Sequence, residues 1–106
     1  MSADDWRHLN RSPTHPGEYV QREILDAYDL TQQELADAIG LSRLSINEIV
    51  RGKRSITEST ALRLSKLTGT TAEFWLGLQQ AYNLWHVAHN EATSIAKIQP
   101  LQARLD

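Results

Sequence analysis

The chain has 106 residues, 41% of them hydrophobic, which supports one small domain with a core and excludes compositional disorder. It has no cysteine, which excludes disulfide staples, thiolate metal sites and a cysteine nucleophile. Net charge is −2, so global charge does not point to nucleic acid; the apolar runs are too short to span a membrane, and the polar start lacks the apolar stretch of a secretory leader, so a cytoplasmic location is expected.

No stretch sustains a period of two, and Gly and Pro fall between apolar segments, so the expected fold class is all-α. Residues 1–14 read as a flexible polar arm, in which Trp6 is expected to fold back on the first helix, the alternative being that it anchors a partner. The first helix is expected near 16–28, with Pro16 at its first position and Val20, Ile24, Leu25 and Tyr28 on its inner face. The second, near 32–39, opens with a Thr31–Glu34 capping box flanked by Leu30 and Leu35, and closes at Gly40. The third, near 43–51, is capped by Ser42 between Leu41 and Ile46 and stops at Gly52. The fourth, near 58–68, follows Ile56-Thr57, turns Ala61, Leu64 and Leu67 to one face and ends at Gly69. A second capping box, Thr70–Glu73, opens the fifth, near 71–97. Residues 15–85 thus form the domain, and 86–106 are an extension of its last helix and a tail in which Pro100 stops further helix.

Charge is unevenly placed along this frame. Residues 1–41 carry −5, residues 42–66 carry +4 and residues 67–106 carry −1. The basic block consists of Arg43, Arg51, Lys53, Arg54, Arg63 and Lys66 against Glu48 and Glu58. A basic block in an acidic chain is a local footprint for a polyanion, although charge alone fits a solvated face equally well.

The second and third helices have the requirements of a helix-turn-helix. Ala36 is small where the helices cross, Gly40 tolerates the turn, and Ile46 and Ile49 can lock the third helix on the second. A plain helical hairpin is the alternative, and the outer face of the third helix discriminates. At about 100° per residue, Arg43, Leu44, Asn47, Glu48 and Arg51 share one arc of about 140°, opposite Ile46, Ile49 and Val50. Arg can bridge guanine O6 and N7, Asn can bridge adenine N6 and N7, Leu can touch a thymine methyl, and Glu can accept from cytosine N4. Gln32, Ser42, Ser45, Lys53 and Arg54 flank this arc and suit phosphate oxygens, which position a protein without reading sequence.

These residues carry a family resemblance. His15-Pro16-Gly17-Glu18, Leu30-Thr31-Gln32-Gln33-Glu34-Leu35-Ala36 and Asn47 through Thr57 resemble the Xre/Cro family, whose DNA-binding domain is lambda-repressor-like. The HPGE opening, the GKRSIT loop and Glu73-Phe74-Trp75-Leu76 with Tyr82-Asn83-Leu84-Trp85 are similar to its HigA/VapI branch, the antitoxins of HigBA modules. The resemblance spans roughly residues 15–85. It implies a five-helix domain with an extended last helix, a homodimer, binding to a palindromic operator in double-stranded DNA, autorepression, and neutralisation of a HigB-type ribonuclease toxin. The alternative it leaves open is a solitary repressor without a toxin. One departure is Asn83, where the family often has Asp and where a local ion pair is at stake.

Phe74 and Trp75 are expected to pack under the domain, whereas Tyr82 and Trp85 come late enough in the last helix to suit a dimer interface. His86 and His89 lack further nearby ligands and read as solvated surface residues, so no metal or cofactor is expected. No nucleophile elbow, activated nucleophile or carboxylate pair argues for an enzyme. The acidic segment 1–41 is the expected meeting place for a basic toxin.

Overall fold

The computed structural model describes residues 11–102. Trp6 and most of the arm lie outside them. Within them the chain is helical: α1 Pro16–Tyr19, continuing as wider π-helical turns over Val20–Asp26, then α2 Gln32–Ile39, α3 Arg43–Val50, α4 Glu58–Thr68, α5 Ala72–Asn90 and α6 Ala92–Ala96. α2 packs on α3 and α4 on α5, while α1 touches both α3 and α5.

The helix ends follow local chemistry. Pro16 occupies the first position of α1, and the capping box of α2 is complete, with Thr31 Oγ1 accepting from Glu34 N–H and Glu34 Oε1 from Thr31 N–H, both at 3.0 Å. Ser42, Thr57 and Thr71 cap α3, α4 and α5. The cap of α5 is therefore Thr71, one residue beyond the expected Thr70. Thr70 Oγ1 instead accepts from Trp75 Nε1–H at 2.8 Å, which satisfies the indole as the ring is buried. Gly40 ends α2 at φ 73°, the left-handed conformation its place required. The expected fifth helix is divided: α5 ends before Glu91, whose φ of −113° leaves the helical range, and α6 restarts after it.

Val20, Ile24, Leu25, Leu35, Ala36, Ile39, Ile46, Ile49, Ile56, Ala61, Leu64 and Trp75 form one buried core. Ala36 is fully buried at the α2–α3 crossing, as the helix-turn-helix spacing demands. Three expected inner residues lie outside this core. Tyr28 follows the last helical turn, before Asp29 reverses the chain at φ 54°, and is 69% exposed. Leu67 is exposed because Thr60, Ala61 and Leu64 form the inner face of α4. Phe74 is exposed beside buried Trp75, since one residue is about 100° of helix and only one of the two can face the core.

The tightest approach is backbone to backbone. A Cβ on Gly17 would collide with the Ile49 carbonyl, so only glycine lets the start of α1 seat on the end of α3. Gly17→Ala should lower unfolding stability by about 1–3 kcal/mol, an overpacking cost read from urea melts, whereas an alanine at Gly77, which has open space around it, should change stability far less.

Candidate nucleic-acid interface

The outer face of α3 is built from its caps. Ser42 Oγ accepts Ser45 N–H at 3.0 Å and donates to Ser45 Oγ at 2.9 Å, so the two hydroxyls are tied together at the helix start. Ile46 and Ile49 are buried beneath, which turns Arg43, Leu44 and Arg51 to solvent and leaves Asn47 and Glu48 half-buried. Leu44 is 65% exposed, an apolar side chain placed where water is its neighbour. At the far end Gly52, at φ 74°, lets Lys53 N–H reach Glu48 O at 2.8 Å, and this 6→1 bond folds Lys53 and Arg54 back along the helix.

Two contacts within this face were not legible in the spacing. Asn47 Nδ2 donates to Gln32 Oε1 at 3.2 Å, joining a base-reading candidate on α3 to a phosphate candidate on α2. Arg54 Nη2 pairs with Glu48 Oε1 at 2.8 Å. Arg54 and Glu48 thus offset each other's charge, and both are open enough to water for the pair to be exchangeable. Arg43, Arg51 and Lys53 are exposed on the same side.

The basic block does not face one way. Arg63, on α4, donates through Nη1 to Ile39 O at 2.7 Å and so closes the C-terminus of α2. Lys66 lies on the same helix, beside Ala38, Ile39 and Leu62. Sequence could not show this, because Arg63 and Ile39 are 24 residues apart. Asn83, the expected departure from the family pattern, pairs with a second carboxamide. Its Oδ1 accepts from Gln79 Nε2 at 3.0 Å, and buried Gln79 Oε1 accepts Ile56 N–H at 2.8 Å.

Tyr82 and Trp85 are half-buried, and their rings have neighbours in their own chain. Tyr82 meets His15 edge-on at 4.8 Å and His86 at 4.3 Å, and Trp85 stacks on His89 at 3.9 Å. His86 is accordingly not the solvated residue expected, since its Nε2 also lies 3.2 Å from Ser12 Oγ. Among the described residues no three His, Asp or Glu side chains converge as metal ligands, and no helix is long and apolar enough to cross a membrane.

The helix-turn-helix profile HTH_3 matches residues 21–75. The chain is 45% identical over 87 residues to virulence-associated protein I of Dichelobacter nodosus, covering 82% of this chain and 80% of that one. It is 30% identical over 100 residues to antitoxin HigA-1 of Vibrio cholerae, covering 94% of each. The structure of Pseudomonas aeruginosa antitoxin HigA with the higBA promoter superposes with a TM-score of 0.80 at 36% identity, covering 85% of this chain and 99% of that one. The chain belongs to the HigA-type branch of the Xre helix-turn-helix family. In this HigA-type chain the helix-turn-helix is α2–α3, and α5 runs beyond the end of the matched region.

His15 joins the interface to the rest of the domain. Its Nδ1 accepts Gly17 N–H at 2.9 Å, capping α1, while its ring lies close to Gly52 and against Tyr82. Burial lowers its pKa below the ordinary 6.5, opposed by the Glu18 carboxylate. The unfolded chain therefore takes up the proton more readily. The stability gained from neutral His15 is complete above pH 6.5 and is lost as pH falls from there through the folded-state pKa. Urea midpoints should fall between about pH 7 and pH 5, and His15→Asn, which keeps a capping acceptor, should flatten that fall. An equally steep profile in the variant would assign the loss to other groups.

Proposed function

We propose that this HigA-type chain is a DNA-binding antitoxin that represses its own operon and neutralises a HigB-type ribonuclease toxin. It is a binding protein, and no catalytic role is assigned to any side chain. The observation that carries the DNA half is the outer face of α3, where Arg43, Leu44 and Arg51 stand clear of a capped helix and half-buried Asn47 is held by Gln32. Arg43, Leu44, Asn47, Glu48 and Arg51 are the proposed base readers; Gln32, Ser42, Ser45, Lys53 and Arg54 are the proposed phosphate contacts. Gln32 also holds Asn47 in place, and Arg54 reaches a phosphate by exchanging Glu48 for it.

The reader acts as a homodimer on a palindrome, with half-sites about 34 Å apart or a multiple of that. The proposed dimer face is the later part of α5 and α6. There Leu84 and Val87 are exposed on one side of α5 and half-buried Tyr82 and Trp85 lie on another, with Ile95 on α6 and Ile98 just beyond it also exposed. The toxin half rests on the likeness to HigA antitoxins and on the acidic α1 side, which carries Glu18, Glu23, Asp26 and Asp29.

Arg43→Ala should weaken specific binding by about 1–3 kcal/mol and relax preference at one base pair per half-site. Lys53→Ala should weaken specific and random DNA alike and reduce the salt dependence by about one unit per subunit. Arg54→Ala should also weaken specific and random DNA alike, because it removes a cation and leaves the Glu48 carboxylate unpaired and repelling the phosphates. Footprinting and salt titrations of the three variants separate these roles. Equal losses on specific and random DNA for Arg43→Ala would remove it from base reading.

Leu84→Glu/Val87→Glu should convert the dimer to monomer in sedimentation at micromolar concentration, and a dimeric variant would move the interface elsewhere. Co-expression with a neighbouring small basic reading frame tests the toxin half. Growth arrest from the neighbour alone, relieved by this chain, is the expected result; no arrest and no co-purifying partner would leave a solitary repressor.

A further inference from the structure

Phe74 and Tyr28 are aromatic residues that the core does not use. They stand at the two lips of a cleft of about 350 Å³ between α1 and the α4–α5 turn. Tyr19 lines it from α1, Thr68 from α4, and the buried ring of Trp75 underlies it. Glu23 belongs to the same lining. Phe74 meets Tyr19 edge-on at 6.1 Å and Trp75 at 5.1 Å, so the rings hold one another in place. Asp29, at φ 54°, turns the chain immediately after Tyr28 and keeps that ring off the core.

Aromatic faces around a carboxylate are a receptor for an organic cation, which the ring quadrupoles attract and the carboxylate neutralises. Tyr19 already holds one guanidinium in this way, with Arg22 Cζ 5.5 Å from its ring centroid. The surroundings are acidic on balance, with Glu23, Asp26 and Asp29 on the same segment against the one cation Arg22, which an incoming guanidinium would displace from Tyr19. A planar guanidinium suits a cleft of rings better than an ammonium, because it can stack and still offer two N–H groups to one carboxylate. We infer that this cleft receives an arginine side chain of a basic protein partner. The inference rests on the toxin reading above and gives that partner a point of attachment, away from the outer face of α3.

Two measurements test it separately. In the first, N-acetylarginine amide is titrated into the isotope-labelled protein and followed by NMR. Saturable shifts at Tyr19, Tyr28, Phe74 and Trp75 are expected at millimolar concentration, with the neutral N-acetylcitrulline amide about tenfold weaker. Equal shifts from the two compounds, or shifts centred elsewhere, would overturn the cleft as a cation site. In the second, a HigB-type toxin is co-expressed and its affinity compared across variants. Tyr28→Ala/Phe74→Ala removes two rings outside the buried core and should weaken the complex by about tenfold or more. Glu23→Gln should weaken it less and reduce its salt sensitivity, with operator binding unchanged in both variants. Unchanged toxin affinity in the double variant would overturn the docking role. Arginine-selective shifts in a protein that binds no basic partner would instead refute the toxin reading and keep the cation site.

Discussion

The contact between Gly17 and the Ile49 carbonyl sets the seat of α3 on the rest of the domain. α3 keeps its outer residues free for a partner, so its position must be set from the inner side and from its ends. A backbone-to-backbone contact leaves no side chain that can change rotamer and let α3 roll. The same short segment supplies His15, which caps α1 through Gly17 N–H, lies against Gly52 at the end of α3, and meets Tyr82 on α5. Four consecutive residues, His15 to Glu18, thus join three helices at one point. Preorganisation of this kind matters for a binding face, because freedom lost on binding is subtracted from affinity.

The electrostatics are more economical than the charge count implies. Six cations fall in residues 42–66, yet Arg63 closes α2, Lys66 lies on α4 and Arg54 faces Glu48. Arg43, Arg51 and Lys53 are what remain on the outer side of α3 and its loop. Each phosphate neutralised contributes to affinity through counterion release, so so small a set gives one protomer a weak hold on DNA. Doubling the set across a two-fold axis is the simplest way to reach a useful affinity, which is why the exposed apolar run on α5 and α6 belongs to the same argument as the basic loop.

Much of this was legible because its causes are local. The caps at Thr31, Ser42 and Thr57, the left-handed glycines at 40, 52 and 69, and the buried Ile46 and Ile49 all follow from chemistry within a few residues. The arc of Arg43, Leu44, Asn47 and Arg51 is a consequence of helical period, and period is what a sequence displays best. What was not legible needed partners far along the chain. Gln32 reaches Asn47 over 15 residues, Arg63 reaches Ile39 over 24, and Ser12 meets His86 over 74. Phe74 and Trp75 show another limit. Adjacent aromatics compete for one inward position, and Trp75 wins because Thr70 offers its indole N–H a partner at 2.8 Å.

The arrangement also bears on whether two partners would influence each other. α1 is shared: its first turn seats on α3, and its later turns carry Tyr19 and Glu23 into the aromatic cleft. Coupling between a protein docked at the cleft and DNA docked at α3 requires an element with two arrangements that both partners bias. The junction at Gly17 is packed backbone to backbone, with no side chain between α1 and α3 there that could switch rotamer. Within one protomer the two surfaces should therefore act independently. Any influence of a basic partner on repression would have to pass through the relation between protomers, where α5 carries both the exposed apolar run and, at its start, Phe74 of the cleft.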